Sequence, residues 1–407
     1  MKLIYLTHFY PKSRIDYYLS NSRAGLAAAA DAHQYAIALG LSEYADEIEI
    51  VNVPALFYFP LRYKKFRHKG EYIEENGLKI HNLSFNLMME YTFISQYRHT
   101  KRKLLDIVKN TNDNIYIIVY GIKQQLMHAA VDVKNQFPNR IKLCEIIPDL
   151  PEDVNTHGNI VSSLISAVRN RFNRPSSEYF KYFDKYVFLT KYMQEVVGCK
   201  AESFIVSEGI YEEKVSKRIE HQENPSVFTI FYGGMLYEKF GIKNLVDAVH
   251  SIDNPSIRLQ LCGFGDCADY IKELSQKDSR IQYLGVLARA EVLNLQSRAS
   301  LLVNPRVPDG NPFTRYSFPS KTMEYFGSGT PTLLYQLEGI PEEYYNYCYS
   351  IDSEHVDSQS LSDKIIEIID TPVKDRLALA SSARNFVLNQ KNYKIVGKQI
   401  FDFINEN

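Results

Sequence analysis

The sequence lacks several features that would each point to a particular class of protein. Its 47 Lys and Arg residues balance 48 Asp and Glu residues, and the formal net charge of -1 excludes a strongly basic, general nucleic-acid binder. No apolar run approaches the roughly 20 residues of a membrane-spanning helix. The apolar N-terminal run is broken by Thr7 and His8 and has no small-residue cleavage site after it. We therefore expect no signal peptide and a cytoplasmic location.

Cysteine is scarce as well. The five cysteines are scattered, and the nearest pair, Cys262 and Cys267, fits no common zinc or redox spacing. We expect buried, reduced thiols. The chain also has no internal repeat and no low-complexity tract. Its apolar content of 45% and charged content of 23% are those of a folded globular protein.

The chain does contain a regular alternation of short β-rich runs and longer helical patterns. The predicted strands are residues 2–9, 47–53, 115–120, 141–147, 185–189, 203–206, 227–232, 258–262, 281–283 and 301–303. The predicted helices include residues 24–39, 100–109, 124–135, 160–182, 242–251 and 268–276. Such an alternation is typical of an α/β fold, with parallel sheets covered by helices on both faces.

The length of 407 residues is too great for one ordinary core, so we expect two domains. A polar, charged stretch that ends at Pro225 separates the two α/β halves. We place the domains at residues 1–210 and 211–385. Residues 386–407 form an amphipathic helical segment that either closes the second domain or crosses back to the first. Ligands of open parallel sheets lie beyond the carboxyl ends of the strands, so the candidate residues are those that directly follow a strand.

The strongest motif follows the last predicted strand. It comprises Asn304-Pro-Arg306 and the segment 316–331, YSFPSKTMEYFGSGTP. Proline near the start of this segment and glycine near its end predict a short helix over residues 319–327. At 100° per residue, Lys321 and Glu324 lie on one side of the helix, and Tyr325 falls on that same side.

Lys321 and Glu324 have the chemistry of a nucleotide site. A helix N-terminus favours anions, and Lys321 there, with Arg306 from a neighbouring strand end, would clamp a diphosphate. Glu324, one turn later, is placed to accept two hydrogen bonds from a ribose diol. The alternative is a surface ion pair between Lys321 and Glu324, which contributes only a few tenths of a kcal/mol.

Paired glycines, Gly233 and Gly234, follow the first strand of the second half. Glycine at this position lets a backbone approach a phosphate or a sugar closely. A tight turn between a strand and a helix, with no ligand, is the alternative interpretation.

A second glycine motif, Gly263-Phe-Gly265-Asp-Cys-Ala268, matches the G-x-G-x-x-G/A dinucleotide fingerprint. It favours a rival function, that of a nicotinamide-dependent oxidoreductase. That function needs a carboxylate at the end of the next strand to hold a ribose. The next strand ends at Tyr283-Leu-Gly285 and offers none, which counts against the rival.

The first half offers weaker candidates. The loop that ends near Gly25 separates the first strand from the first helix, and it either covers donor phosphates or is a mobile loop. Asp149 follows the strand at 141–147, where an acceptor would enter, although solvated loop acids are common. Residues 57–67 and 169–186 mix aromatic with basic side chains, which fits either a segment held at an anionic membrane surface or an ordinary solvated face.

The motif from Asn304-Pro-Arg306 through Ser317-Phe-Pro-Ser-Lys321 to Gly329-Thr-Pro331 resembles the retaining glycosyltransferases of family 4. The resemblance implies the GT-B fold, in which two Rossmann-like parallel-sheet domains face a central cleft. Residues 337–344, LEGIPEEY, are similar to bacterial members that build capsular or exopolysaccharide units. The resemblance further implies a UDP-linked sugar donor and a glycan or polyprenyl-diphosphate-linked acceptor. Peripheral contact with the inner membrane surface would accompany such an acceptor.

The family signature is a pair of glutamates separated by seven residues. Its second glutamate corresponds to Glu324 and by resemblance holds the donor ribose, whereas its first corresponds to Tyr316, which is not an acid. The basic residues that follow the family's paired glycines correspond to Met235 and Phe240.

The resemblance therefore leaves most of the phosphate charge to Arg306 and Lys321. The residues that it places beside the donor are Gly25, Gly233, Gly234, Gly263, Gly285, Asn311, Pro312, Phe313, Tyr316 and Ser320.

The implied chemistry is front-face substitution with retention at the anomeric carbon. The leaving diphosphate can itself take the acceptor's proton, so no separate protein base is needed. No Asp-x-Asp motif occurs, and we expect no essential metal ion. Two alternatives remain open: a nucleotide-sugar 2-epimerase of the same fold, and a catalytically degenerate member that binds the nucleotide-sugar.

Overall fold

The computed structural model describes residues 2–26, 28–150, 177–211, 226–308 and 312–406. The predicted linker before Pro225 and most of the predicted helix at 160–182 lie outside these ranges. The chain divides into two compact units. The first is Met1–Ile210 together with Tyr393–Asn407, and the second is Tyr211–Asn392.

The first unit is built on an eight-stranded sheet with the order β10-β9-β8-β7-β1-β2-β5-β4. The strands of this sheet are β1 (Lys2–Thr7), β2 (Ile48–Asn52), β4 (Glu71–Glu75), β5 (Leu78–Asn82), β7 (Ile115–Tyr120), β8 (Ile141–Ile147), β9 (Lys185–Phe188) and β10 (Phe204–Val206). Two further strands, β3 (Arg67–His68) and β6 (Phe85–Asn86), form a separate small antiparallel pair. Neighbouring strands of the large sheet are parallel, except that β4 and β5 form an antiparallel hairpin. The central strand β7 is buried along its whole length, as expected of a parallel strand covered on both faces.

The helices of the first unit are α1 (Ile15–Asn21), α2 (Ala28–Ser42), α3 (Met89–Lys109), α4 (Gln124–Gln136), α5 (Ser177–Phe180), α6 (Met193–Val197) and, after the second unit, α14 (Tyr393–Asn405). The C-terminal helix α14 packs on α2 and contributes Val396, Ile400 and Phe403 to the same apolar core as β1, β2 and β7. The first unit is therefore completed by the last residues of the chain.

The second unit contains a six-stranded sheet in the order β13-β12-β11-β14-β15-β16, with parallel neighbours throughout. Its strands are β11 (Phe228–Met235), β12 (Ile257–Phe264), β13 (Ile281–Tyr283), β14 (Leu301–Asn304), β15 (Thr332–Tyr335) and β16 (Tyr349–Ile351). Its helices are α7 (Ile242–Ser251), α8 (Ala268–Lys277), α9 (Arg289–Arg298), α10 (Pro312–Tyr316), α11 (Lys321–Ser328), α12 (Ser358–Asp370) and α13 (Val373–Gln390).

All ten predicted strands are confirmed, and three of them, β7, β8 and β13, have the predicted bounds. The helix predicted at 24–39 is wrong at its start, because the chain forms a separate helix over Ile15–Asn21 and begins the next at Ala28. The prediction of reduced thiols is confirmed, since all five cysteines are free and four of them are buried. Among the described residues, no helix is both long and apolar enough to cross a membrane.

Candidate functional site

The short helix α11 forms the centre of the candidate site. It begins at Lys321 and ends before Gly329, whose left-handed φ of 72° terminates it. Met323 and Phe326 are buried as predicted, whereas Lys321 and Glu324 are only partly covered. Tyr325 does not share their exposure. It is fully buried and packs in a small apolar cluster, which corrects its predicted place on the open side of the helix.

Lys321 joins α11 to the paired glycines that follow β11. Its ammonium group donates a hydrogen bond to the carbonyl oxygen of Gly233 at 2.6 Å and lies 5.5 Å from the centre of the Tyr232 ring. A Cβ atom on Gly234 would lie 2.3 Å from Lys321 Nζ, well inside van der Waals contact. Glycine is therefore required at 234 for Lys321 to reach this position. The hydrogen bond between Lys321 and Gly233 thus joins two motifs that are 88 residues apart in the chain.

The glycines of the dinucleotide-like motif lie directly beside the same point. Gly263 pairs with Gly234 across the parallel strands, and a Cβ atom on Gly263 would lie 1.7 Å from the carbonyl oxygen of Gly234. The next strand end is tied in as well, because Gly263 donates its N–H to the oxygen of Gly285 at 2.8 Å. At the carboxyl ends of these three neighbouring strands the glycines thus leave backbone groups without side chains above them.

Glu324 has a partner at each of its two carboxylate oxygens. Gln296 donates its side-chain amide to Oε1 at 2.6 Å, and Arg289 forms a short ion pair with Oε2. Partial burial alone would raise the pKa of Glu324, but the hydrogen bond from Gln296 and the charge of Arg289 lower it. Glu324 is therefore held as an oriented carboxylate.

The sequence interpretation missed Gln296 and Arg289. Both residues lie on α9, and their spacing of seven residues places them two turns apart on one helix face. That spacing was visible in the sequence, but nothing in it indicated that this face of α9 contacts α11.

Lys321 lies in surroundings that disfavour its charge. Burial lowers the pKa of its ammonium group, and the nearby carboxylate of Glu324 opposes that shift. An ammonium group that is incompletely solvated gains more from an incoming anion than one in bulk water does. The arrangement therefore favours binding of a phosphate close to Lys321.

Arg306 occupies a more enclosed position than predicted. Its side chain is 8% exposed, and Nη2 donates a hydrogen bond to the hydroxyl of Ser317 at 3.1 Å. Arg306 also acts on the hydroxyl group of Tyr232: burial raises the Tyr232 pKa, and the charge of Arg306 opposes this. The aromatic ring of Tyr232 thus has both cations, Arg306 and Lys321, in its surroundings.

The other predicted donor residues are placed as follows. Tyr316 ends α10 and is partly exposed, and Ser320 precedes α11 with an exposed side chain that makes no capping hydrogen bond. Asn311 lies outside the described residues. Pro312 and Phe313 form the start of α10, but their side chains are outside the described part.

Gly25 and Asp149 belong to the first unit, whereas the cluster around α11 belongs to the second. Gly25 has a left-handed φ of 75°, and its carbonyl oxygen accepts a hydrogen bond from the hydroxyl of Ser22 at 2.8 Å. Asp149 follows β8 and is exposed.

The first unit has its own group of ionisable side chains at the carboxyl ends of β1 and β7, which the sequence interpretation missed. His33 Nδ1 lies 2.8 Å from the hydroxyl oxygen of Tyr120, and burial lowers the pKa of His33 to about 4. Burial also lowers the pKa of His8, with a further contribution from the charge of Lys123. Burial lowers the pKa of Lys123 itself to about 8. Near pH 7 this group consists of two neutral imidazoles and one poorly solvated ammonium.

The second unit matches a known family, while the whole chain matches known structures. The family model described as "Glycosyl transferases group 1" matches residues 227–371. This range contains the paired glycines, the dinucleotide-like motif, Arg306, Lys321 and Glu324. No curated protein matches the chain in sequence.

Several solved structures have the same fold over nearly the full length. A sucrose-phosphate synthase from Thermosynechococcus elongatus superposes with a TM-score of 0.60 at 16% identity, covering 99% of this chain and 98% of that one. The lipopolysaccharide outer core galactosyltransferase WaaB, in its apo form, gives 0.60 at 11% identity, with 99% of both chains covered. Anabaena HepE, in complex with UDP and glucose, gives 0.58 at 15% identity over 100% of both chains.

The likeness to solved structures establishes the architecture, and the chain has the GT-B fold. Residues 227–371 of its second unit, which contain the candidate site, match the family of group 1 glycosyltransferases.

Proposed function

We propose that the protein is a retaining glycosyltransferase that transfers one sugar from a UDP-linked donor to a glycan or lipid-linked acceptor in surface polysaccharide biosynthesis. One observation carries this proposal. Lys321 lies on the backbone of Gly233 and Gly234 at the N-terminus of α11, and Glu324 lies one turn further along the same helix. This arrangement offers a cation and the positive end of a helix to a diphosphate, and a carboxylate to the neighbouring ribose.

The diphosphate would be bound at the start of α11. Ser320 makes no side-chain capping hydrogen bond there, so the N–H groups of the first turn are not capped by it. Lys321 supplies one full positive charge, and Arg306 supplies a second from the loop after β14. When the glycosidic bond breaks, negative charge grows on the leaving diphosphate. Groups directed at those oxygens stabilise the transition state more than the bound donor.

The ribose would be bound by Glu324. A carboxylate is an acceptor only, and its two oxygens can each receive a hydroxyl proton from a vicinal diol. In the structure both oxygens already have partners, Gln296 and Arg289. Gln296 is buried, whereas the Arg289 side chain is 60% exposed. Arg289 is therefore the partner that a ribose would displace, and Gln296 is the one that would stay.

The acceptor would be bound by the first unit, where Asp149, His8 and Lys123 follow neighbouring strands and His33 lies on α2. A poorly solvated lysine favours an acceptor with a negative group, as a polyprenyl-diphosphate-linked glycan has. We also propose that the reaction needs no metal ion, because Lys321 and Arg306 can balance the diphosphate charge. The rate should then be unchanged when EDTA is present.

HepE supports the choice of donor, since its structure was determined with UDP and glucose and has the same fold. The retaining outcome is supported by the resemblance of residues 304–331 to family 4. The acceptor class is supported by the similarity of residues 337–344 to capsule and exopolysaccharide enzymes.

The donor is tested by calorimetry with UDP, GDP and 2′,3′-dideoxy-UDP. Glu324→Gln should weaken UDP binding about tenfold and leave dideoxy-UDP binding unchanged, because the lost interaction is with the ribose hydroxyls. Lys321→Met should lower the transfer rate about 100-fold. Lys272→Met, at an exposed lysine paired with Asp269, is the matched control and should be silent. If Glu324→Gln weakened the binding of UDP and of dideoxy-UDP equally, Glu324 would not be the residue that binds the ribose.

The same donor distinguishes the open alternatives. An epimerase converts the nucleotide-sugar when no acceptor is present, and NMR of the donor alone would show the epimer. A degenerate member would bind UDP but would give neither transfer nor hydrolysis.

A further inference from the structure

One surface of the first unit displays large apolar side chains among cations. The exposed apolar side chains are Leu19 (47%), Tyr58 (50%), Leu61 (74%), Phe66 (58%) and Met88 (55%). The cations are Arg62, Lys64, Lys65, Arg67 and Lys69, and no Asp or Glu occurs from residue 54 to residue 70. We call these ten residues the basic apolar patch. Several large apolar side chains that are exposed on neighbouring segments of an ordered surface commonly mark a binding site.

The backbone holds this patch in a defined shape. Tyr63 at its centre is buried, with 1% exposure, and its strand-like pairing with Ser22 joins residues 57–69 to the end of α1. Arg23 donates its N–H to the oxygen of Arg62 at 2.9 Å. On the other side, Leu87 donates to the oxygen of Phe66 at 2.7 Å. The outward direction of the apolar side chains is thus a consequence of fixed backbone pairing.

The positive charges of the patch are not neutralised by the partners that the structure shows for them. Lys64 donates to the backbone oxygen of Ser20 at 2.6 Å, and Lys65 donates to the hydroxyl of Tyr17 at 3.1 Å. Neither partner is an acid. The nearest acid after the segment, Glu71, is itself paired with Arg14 at 2.6 Å. The patch therefore presents a net positive field to solvent.

We propose that the basic apolar patch docks the protein onto a bilayer that contains anionic phospholipid. Leu61, Phe66 and Tyr58 would enter the headgroup region, while the cations lie at the level of the lipid phosphates. The composition favours lipid over a protein partner, because lysine is depleted in the cores of protein interfaces. The inference does not depend on the proposed sugar transfer, so it can fail or succeed independently of it.

The full chain contains no tryptophan, which makes the depth of insertion measurable. Leu61→Trp and Phe66→Trp each introduce a single fluorophore into the patch. Val286→Trp places one at a valine that is 71% exposed in the second unit. With vesicles of phosphatidylcholine and phosphatidylglycerol, emission should shift to the blue in the two patch variants and stay unchanged in Val286→Trp. Unchanged emission in both patch variants would overturn the proposal.

Binding strength is tested with the same vesicles by sedimentation. Leu61→Ser combined with Phe66→Ser should weaken binding at least ~10-fold. Arg67→Gln combined with Lys69→Gln should weaken it about 25-fold, from about 1 kcal/mol per cation. Val286→Ser should have no effect. Added salt should weaken binding, and vesicles of phosphatidylcholine alone should bind poorly.

Two results would contradict a lipid surface as the occupant. One is equal sedimentation of the patch variants and the unchanged protein. The other is a concentration-dependent dimer, seen by analytical ultracentrifugation without vesicles and lost in the double serine variant, which would assign the patch to self-association.

Discussion

Gly234 and Lys321 fit together so closely that the Lys321 side chain can take its position only because Gly234 has no side chain. A Cβ atom at position 234 would lie 2.3 Å from Nζ and 2.5 Å from Cε of Lys321. The obstacle is the far end of a flexible side chain, which can move at modest cost. A methyl group at this point should therefore displace Lys321 and leave the strands in place.

Gly234→Ala should consequently bind UDP at least ~10-fold more weakly while keeping a cooperative thermal transition. Gly263→Ala is the contrasting variant, because its Cβ would lie 1.7 Å from a backbone oxygen that cannot move without separating β11 from β12. It should lose several degrees of melting temperature more than Gly234→Ala. Calorimetry with UDP and thermal unfolding by circular dichroism make the comparison. Normal UDP affinity in Gly234→Ala would mean that Lys321 does not contact the nucleotide.

The alkaline side of the pH profile should depend on Lys321. Burial lowers the pKa of its ammonium group below the ordinary 10.5, so the charge is lost at a lower pH than in a solvated lysine. Donor binding needs the charged form, and kcat/KM should therefore fall as pH rises through this lowered pKa. In Lys321→Arg the decline should move to higher pH, because guanidinium stays protonated. An identical alkaline decline in both proteins would assign it to another group, such as Lys123.

Gln296 should matter more than Arg289 for the nucleotide. Gln296 is buried and fixes one oxygen of Glu324, whereas the Arg289 pair is largely exposed and exposed ion pairs contribute about 0–1 kcal/mol. Gln296→Ala should weaken UDP binding about tenfold, and Arg289→Ala should change it less than threefold. Titration calorimetry of the two variants tests this ranking. The reverse ranking would show that Arg289 binds the nucleotide itself.

The sequence predicted the parallel core well because its strands are long, apolar and separated by helices. Residues 115–120 and 141–147 illustrate this, since both strands have the predicted bounds. The hairpin of β4 and β5 was missed although its turn, Asn76-Gly77, is a common hairpin sequence, and both residues have left-handed φ angles. The short strands β15 and β16 were missed as well, although β14 and β13, which have the same lengths, were predicted.

The candidate site was predictable only in part, for the same physical reason. Lys321 and Glu324 share a face of one helix, and helical spacing is visible in a sequence. The contact between Lys321 and Gly233 spans 88 positions, and the contact between Gln296 and Glu324 joins two helices. Periodicity carries no information on such contacts. Tyr325 shows the opposite error, because a helical wheel cannot indicate that a neighbouring apolar cluster covers one flank of the helix.

Protonation of Glu49 should make the first unit less stable in acid. Its hydrogen bond with His81, at 2.5 Å, lowers the pKa of Glu49 from 4.5 to about 2, although burial opposes the shift. The stabilisation is complete above the ordinary carboxyl pKa of 4.5 and is lost as pH falls towards 2. Glu49→Gln should thus cost about 2 kcal/mol at pH 7 and almost nothing near pH 2. Urea unfolding at several pH values measures this, and a constant difference across them would contradict the assignment.

The crossing of α2 and α14 should depend on two glycines. Gly40 and Gly397 bring the helix backbones together, since a Cβ atom on Gly397 would lie 2.3 Å from the carbonyl carbon of Gly40. The obstacle is rigid backbone on both sides, so Gly397→Val must push the two helices apart and open the core formed by Val396 and Ile400.

We expect Gly397→Val to lose roughly 3 kcal/mol of unfolding free energy, as overpacked and cavity-forming core changes do. Lys398→Ala, at the next position, should leave the unfolding free energy almost unchanged, because its pair with Asp402 is an exposed i, i+4 contact. Denaturant unfolding of both variants decides the matter. If Gly397→Val were as stable as Lys398→Ala, the last helix would not be an integral part of the first unit. The close helix crossing would then contribute little to its stability.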